Sequence, residues 1–247
     1  MGSPDSGDLI AAAPTPRIPV RDRAGKYLGT FPVRRIYCVG RNFADHAREM
    51  GATAPASKAE RGNPVFFMKP ADAIVVASDV PYPPGTNDLH HEVELVVALG
   101  TDAPAGELPV DAAASLVFAY GVGLDLTRRD LQSAAKAKGL PWDTGKGFDH
   151  SAPCSMFFHS IFFYCLDGMS ICLDINGERR QQSGLDQLIW DVPEILHELS
   201  KLYALRAGDL VFMGTPAGVA ALQPGDRFHA RLGDIAELHG RIVATTV

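Results

Sequence analysis

The chain has 247 residues, a formal net charge of −6, 46% apolar and 21% charged residues. That supplies enough apolar surface for a sizeable core and excludes binding of nucleic acid or anionic membrane through bulk positive charge. No stretch reaches the roughly 20 consecutive apolar residues of a membrane span, and the acidic start Met-Gly-Ser-Pro-Asp-Ser-Gly-Asp is unlike a signal peptide, so a cytoplasmic protein is expected.

Residues 1 to 33 are rich in Ala, Pro and Gly and read as an N-terminal appendage, a loose start followed by an edge strand or hairpin. The motif-dense domain, residues 34 to 247, opens with the strand Arg35-Ile-Tyr-Cys-Val-Gly40. Asn42 is expected to cap a short helix in which Phe43, Ala47 and Met50 recur at helical spacing and which Gly51 stops. A polar loop leads to a strand over Pro64 to Lys69, and strands follow around Ala73 to Ala77 and Val93 to Leu99. The apolar run Ser115 to Asp125 precedes a helix from Thr127 to about Gly139.

Gly139 to Asp149 is punctuated by Gly and Pro and reads as a loop. Beyond it lie strands over Ser155 to Phe163 and Ser170 to Ile175, and the apolar run Ile161 to Leu166 also has the length of a buried strand. Asn176-Gly177 signals a hairpin, and Pro193 to Leu202 has helical periodicity. The tail carries strands near Asp209 to Met213, Arg227 to Arg231 and Gly240 to Thr246. Many strands with few short helices predict an α+β, mostly β fold. The four cysteines, Cys38, Cys154, Cys165 and Cys172, show no Cys-x-x-Cys spacing and read as reduced, buried thiols.

The sharpest chemical signal is His90-His-Glu-Val-Glu94. On a strand, Glu92 and Glu94 face the same way at the mouth of an apolar run, where two like charges need a cation. Asp125, after another apolar run, is a third acid in a similar setting, with a helix N-cap as its alternative role. Three such carboxylates suit a hard divalent ion, Mg²⁺ or Mn²⁺; zinc is disfavoured for want of a Cys/His set. His46 and Glu49, at i and i+3, could form a general-base dyad or a plain surface contact. Lys146, between Gly145 and Gly147, could swing over a site as an oxyanion partner or sit solvated. The backbone of Gly214 to Gly218 and the Thr215 hydroxyl could hold an anion, and Lys69 points weakly to an anionic ligand. His150, His159, His197, His229 and His239 are scattered and read as structural or surface residues.

Together, Gly40-Arg-Asn-Phe-Ala-Asp-His46, Phe66-Phe-Met-Lys-Pro70, His90-His-Glu-Val-Glu94, Leu124-Asp-Leu-Thr-Arg-Arg-Asp-Leu-Gln132, Lys146-Gly-Phe-Asp149, Asn176-Gly-Glu178 and Gly214-Thr-Pro-Ala-Gly-Val219 resemble, in order and spacing, the fumarylacetoacetate hydrolase family. The resemblance implies a mixed β-sandwich roll of the family's C-terminal-domain type and a homodimer. It implies Glu92, Glu94 and Asp125 as ligands of Mg²⁺ or Mn²⁺, His46 and Glu49 as the water-activating dyad, and Lys146 as the oxyanion partner. Lys69, Arg129, Gln132 and Thr215 carry over as substrate contacts. The implied reaction is hydrolysis of the C3–C4 bond of a small anionic 2,4-dioxo acid such as fumarylpyruvate, a step of aromatic catabolism. Alternatives are an acylpyruvase, oxaloacetate decarboxylase or 2-oxo-acid isomerase of the same family, or a non-catalytic small-acid binding protein. Cys154-Ser-Met-Phe157 departs from the Gly/Pro-rich stretch of many relatives, and no substrate contact is assigned there.

Overall fold

A computed structural model describes residues 9–245 apart from 12, 50, 52–54, 56, 161–165 and 167. Met50, Cys165 and the body of the run Ile161 to Leu166 therefore lie outside the described residues. Among the described residues, eight strands hydrogen-bond into one sheet. Their spatial order is Tyr27–Pro32, Arg17–Arg21, Phe157–His159, Val117–Leu124, Val93–Leu99, Asp209–Phe212, Arg35–Gly40, Val65–Lys69. Two of the pairings are parallel, Arg17–Arg21 with Phe157–His159 and Asp209–Phe212 with Arg35–Gly40. Arg17–Arg21 and Tyr27–Pro32 form the N-terminal hairpin, which supplies one edge of this sheet.

A second sheet runs in the order Glu178–Gly184, Ser170–Ile175, Arg227–Leu232, Ala236–Val243, Asp79–Pro81. The Asn176-Gly177 turn has φ of +54° and +86°, the left-handed pair that a two-residue hairpin requires. The two sheets close on a large core, and period-two alternation decides which residues enter it. Leu95, Val97 and Leu99 face this core together with Tyr37, Val39, Val211 and Met213, against Ile171, Leu173, Ala230 and Leu238 of the second sheet. Val96, Ala98, Ile36, Cys38, Leu210 and Phe212 point the opposite way into a smaller core with Ile18, Phe31 and Phe157. Covered on both faces, the central strands read as unbroken apolar runs.

Three local expectations are corrected. Asn42 is buried and its amide is used elsewhere: Nδ2 donates to the carbonyls of Trp190 and Met213, and Oδ1 accepts from Trp190 N–H at 2.8 Å. The helix predicted from Thr127 starts at Arg129 and runs to Ala137, because Thr127 pairs with His90 in a short antiparallel ladder. Part of the loop Gly139 to Asp149 is a single helical turn, Asp143–Lys146. Cys38, Cys154 and Cys172 are buried and unpaired, and burial pushes the Cys38 and Cys154 thiols up. No helix among the described residues is long and apolar enough to cross a membrane.

Candidate active site

Glu92 and Glu94 continue the row of Val96 and Ala98, the face of the strand that meets the smaller core. Val93 is in register with Leu124 on the neighbouring antiparallel strand, so Glu92 and Asp125 meet just beyond that pair. The Asp125 N–H donates to the Glu92 carbonyl at 2.8 Å. Carboxylate oxygens of Glu92, Glu94 and Asp125 lie within 4.8 Å of one another, and the residues are 6, 1 and 0% exposed.

Three cations answer two of these carboxylates. Lys146 Nζ donates to Glu92 Oε2 at 2.9 Å, Asp125 Oδ2 at 2.5 Å and Thr127 Oγ1 at 2.7 Å. Lys69 Nζ stands 2.8 Å from Asp125 Oδ1 and donates to the carbonyls of Leu126 and Lys146. Arg129 donates to Glu92 Oε1 and, at 2.6 Å, to Gln132 Oε1. Glu94 differs. It accepts the Gly214 N–H at 2.7 Å, and among the described residues no lysine or arginine forms an ion pair with it.

The electrostatics follow from this division. Burial, with Asp125 and Glu92 close by, pushes the Glu94 carboxyl well above the usual carboxylate range. Burial works the same way on Glu92, but the charges of Lys146 and Arg129 outweigh it and hold Glu92 low. It also opposes the Lys146 charge, and Asp125 and Glu92 more than restore it. A buried carboxylate without a cation, converging with a neighbour on its own strand end and a third from the adjoining one, is the all-oxygen donor set that a hard divalent ion takes. The residues present fit such an ion.

His46 lies on the helix Ala44–Glu49, is buried, and opens onto the same cleft. Its Nδ1 is 3.2 Å from Glu49 Oε2. Glu49 is held in turn by the Gly218 N–H, at 3.0 and 3.2 Å from its two oxygens. Gly218 has φ +97°, and a Cβ there would fall 2.1 Å from the Arg180 carbonyl, so glycine is required. The Gly214 to Gly218 loop thus holds anions, but they are the protein's own: Glu94 at one end and Glu49 at the other.

The sequence-predicted residues separate into two groups. His46, Glu92, Glu94, Arg129, Gln132, Lys146 and Thr215 line one cleft. Asp125 and Lys69 are fully buried behind it, where Lys69 is committed to Asp125 and two carbonyls. Lys146 does not swing on a free loop. It ends a helical turn, 2% exposed, and Gly145 gives close approach to the Gln132 backbone, 2.9 Å from where a Cβ would stand.

One connecting residue escaped the sequence reading. Gln181 is 1% exposed; its Oε1 accepts the Val93 N–H at 3.1 Å and meets His91 Nδ1 at 2.9 Å. Its Nε2 donates to Thr215 Oγ1 and the Pro216 carbonyl, both at 2.8 Å. It ties the Glu92/Glu94 strand to the Thr215 loop. It sits in the polar strand Glu178–Gly184, whose sequence carries no apolar alternation to mark it. Outside the cleft, His229 and His239 do come together, directly opposed on paired strands with Glu237 beside them on the solvent-facing side.

Comparison with known proteins agrees with this constellation. Residues 35–243 match the fumarylacetoacetate (FAA) hydrolase C-terminal family. A fumarylpyruvate hydrolase of Ralstonia sp is 42% identical over 173 residues, 70% of this chain and 88% of the relative. The mitochondrial oxaloacetate tautomerase FAHD1 of Rattus norvegicus is 37% identical over 210 residues, 85% of this chain and 91% of the relative. The crystal structure of fumarylpyruvate hydrolase from Pseudomonas aeruginosa in complex with Mn²⁺ and pyruvate superposes with a TM-score of 0.86 at 42% identity, covering 96% of this chain and 100% of that one. With seven sequence blocks, the fold and the converging carboxylates in agreement, the chain belongs to the fumarylacetoacetate hydrolase family.

Proposed function

We propose that the protein is a Mg²⁺- or Mn²⁺-dependent hydrolase that cleaves the C3–C4 bond of a 2,4-dioxo acid, converting fumarylpyruvate and water to fumarate and pyruvate. One observation carries this reading: His46, paired with Glu49, lines the same cleft as Glu92 and Glu94, whose carboxylates converge with that of the buried Asp125. The Pseudomonas aeruginosa enzyme, crystallised with Mn²⁺ and pyruvate, supports it. Glu92, Glu94 and Asp125 would hold the divalent ion, which supplies Lewis-acid stabilisation to the 2-oxo acid end of the substrate.

The chain's own residues do the rest. Glu49 occupies His46 Nδ1, leaving Nε2 to take a proton from water, and the Glu49 carboxylate balances the imidazolium that forms. The hydroxide oxygen bonds to C4, and the C3–C4 electron pair leaves on C3 as pyruvate enolate, which is then protonated. Lys146 is the ammonium group at hand for the oxyanion on C4. Its three hydrogens are engaged by Glu92, Asp125 and Thr127, so the role requires exchange of one of those bonds. Arg129, Gln132 and Thr215 present polar groups to the substrate; the Thr215 oxygen already accepts from Gln181, which leaves its proton to donate. The family resemblance supports a cytoplasmic homodimer of aromatic catabolism.

The test is loss of the enol absorbance of fumarylpyruvate with Mn²⁺ or Mg²⁺, with and without chelator, with fumarate and pyruvate assayed as products. Metal-dependent loss yielding both in equal amounts is expected; no metal-dependent loss overturns the reading. The 37% identical tautomerase favours a second activity, enol–keto conversion of oxaloacetate, which the same assay follows with oxaloacetate as substrate.

A further inference from the structure

The cleft is graded along its depth. Its floor is the carboxylate cluster with Arg129 and Lys146; Phe67 and Trp142 form a wall, their ring centroids 6.0 Å apart. Arg41, exposed, and Lys136, half-buried, line the same cleft nearer solvent than the buried floor. These two differ from every other cation of the site. Lys69, Lys146 and Arg129 are each spent on Asp125 or Glu92. Among the described residues, neither the Arg41 nor the Lys136 side chain has a hydrogen bond or a carboxylate in ion-pair contact, and the only side-chain partner of Lys136 is the Trp142 ring, 5.9 Å from Nζ.

Two further facts mark these groups as placed. Arg41 has φ +58°, a conformation that a side-chain-bearing residue rarely adopts and that recurs where function requires it. Lys136 is half-buried, and burial together with the nearby Arg41 and Arg129 charges works against its own. Two cations held close to each other, facing a cleft and without a protein anion between them, await an anion from solution.

We propose that Arg41 and Lys136 form a subsite for a second, distal carboxylate, so that the protein selects dicarboxylate 2-oxo acids over monocarboxylate ones. The inference rests on the reading that the 2-oxo acid end binds at the carboxylate floor. The acyl chain then lies along Phe67 and Trp142, whose flat faces suit a planar conjugated segment. An enedioyl tail ends in the anion that the rim lacks, whereas an acetyl tail ends in a methyl group and leaves both cations unanswered.

The experiment separates this inference from the hydrolase reading by using ligands that cannot be cleaved. 2-Oxoheptanedioate and 2-oxoheptanoate share the 2-oxo acid end and chain length, lack the 4-oxo group, and differ only in the distal carboxylate. Calorimetry on the Mn²⁺-loaded protein is expected to give at least tenfold tighter binding of the diacid. Arg41→Gln and Lys136→Gln should each remove most of that preference while leaving 2-oxoheptanoate affinity within about twofold, and Arg41→Lys should restore part of it. In turnover, kcat/KM for fumarylpyruvate should fall about tenfold in either variant, with acetylpyruvate unaffected. Equal affinity of the wild type for both acids, or equal weakening of both by the variants, overturns the subsite. Failure of the hydrolase reading shows separately, as absence of metal-dependent cleavage by the wild type.

Discussion

At the scale of single residues, the two strand glutamates occupy different electrostatic positions although they sit two residues apart. Glu92 is the counter-charge of Lys146 and Arg129; Glu94, among the described residues, meets a backbone N–H and no cation. Replacing each with the isosteric amide should therefore separate stability from metal binding. Glu92→Gln leaves buried cations uncompensated and is expected to cost about 3–5 kcal/mol in urea unfolding of the metal-free protein. Glu94→Gln keeps an acceptor for Gly214 and should stay within about 1 kcal/mol of wild type. Both variants should weaken Mn²⁺ binding at least tenfold by calorimetry. Equal destabilisation by the two would contradict the charge assignment. Gly218→Ala is a test of the dyad from behind: the new Cβ would collide with the Arg180 carbonyl, displacing the N–H that holds Glu49. A loss of about 1–3 kcal/mol should accompany a fall in kcat larger than any change in KM.

At the scale of elements, the helix Val192–Ser200 shows how local sequence signals become stability. Asp191 accepts the Glu194 N–H at 2.9 Å and Glu194 accepts the Asp191 N–H at 3.0 Å, a reciprocal capping box with Pro193 in the first turn. Val192, Ile195, Leu196 and Leu199 are the buried stripe. Glu194 also receives Arg61 at 2.8 and 3.0 Å and Lys58 at 2.9 Å. Burial opposes its charge, but these donors outweigh it and bring the carboxyl from 4.5 down to about 2. A carboxyl lowered on folding stabilises the native state above its unfolded value, and that contribution is lost as pH falls from about 4.5 to about 2. Glu194→Gln should thus be less stable than wild type by about 1–3 kcal/mol at neutral pH, with the difference closing near pH 2. A constant difference across that window would show that the charge is not responsible. The turn Asp143–Lys146 is the functional counterpart: four residues, held by the Gly145 contact to Gln132, carry the lysine into the carboxylate cluster.

At the scale of the whole molecule, the cleft lies where strands of the large sheet run out beyond the smaller core. The carboxylates are brought in by the pairing of Val93–Leu99 with Val117–Leu124, the dyad by a helix following Arg35–Gly40, and the loop that orients both by the end of Asp209–Phe212. An ion bound only by the native arrangement stabilises it by mass action, about 2.7 kcal/mol at a hundredfold excess over Kd. For a chain of this size that is on the order of 5–10 °C in Tm. Adding Mn²⁺ should raise the melting temperature by that amount, chelator should reverse it, and Glu94→Gln should cut it by about half or more. A wild-type protein indifferent to Mn²⁺ would exclude the three carboxylates as its site. Sedimentation equilibrium checks the proposed homodimer, which should run at twice the 26.5 kDa chain mass.

Much of this was legible in the amino-acid order. The Asn-Gly hairpin, the apolar runs of the central strands, the Glu92/Glu94 pair and the His46–Glu49 spacing all express contacts between residues close in the chain, and local geometry governs them. What the order could not display is which distant groups meet. Lys69 reads as a ligand-facing lysine and is buried against Asp125; Lys146 reads as mobile and is locked by three partners; Asn42 reads as a cap and joins two loops; Gln181 has no periodic signal at all. Each of these depends on strand pairing across long separations in the chain, and pairing is set by the burial of both faces of a sheet rather than by any one segment's preference. The sequence by itself determined the fold class, the family and the acids that converge. Only the tertiary structure decided how their charges are balanced, because a carboxylate and the cation that answers it are chosen by packing.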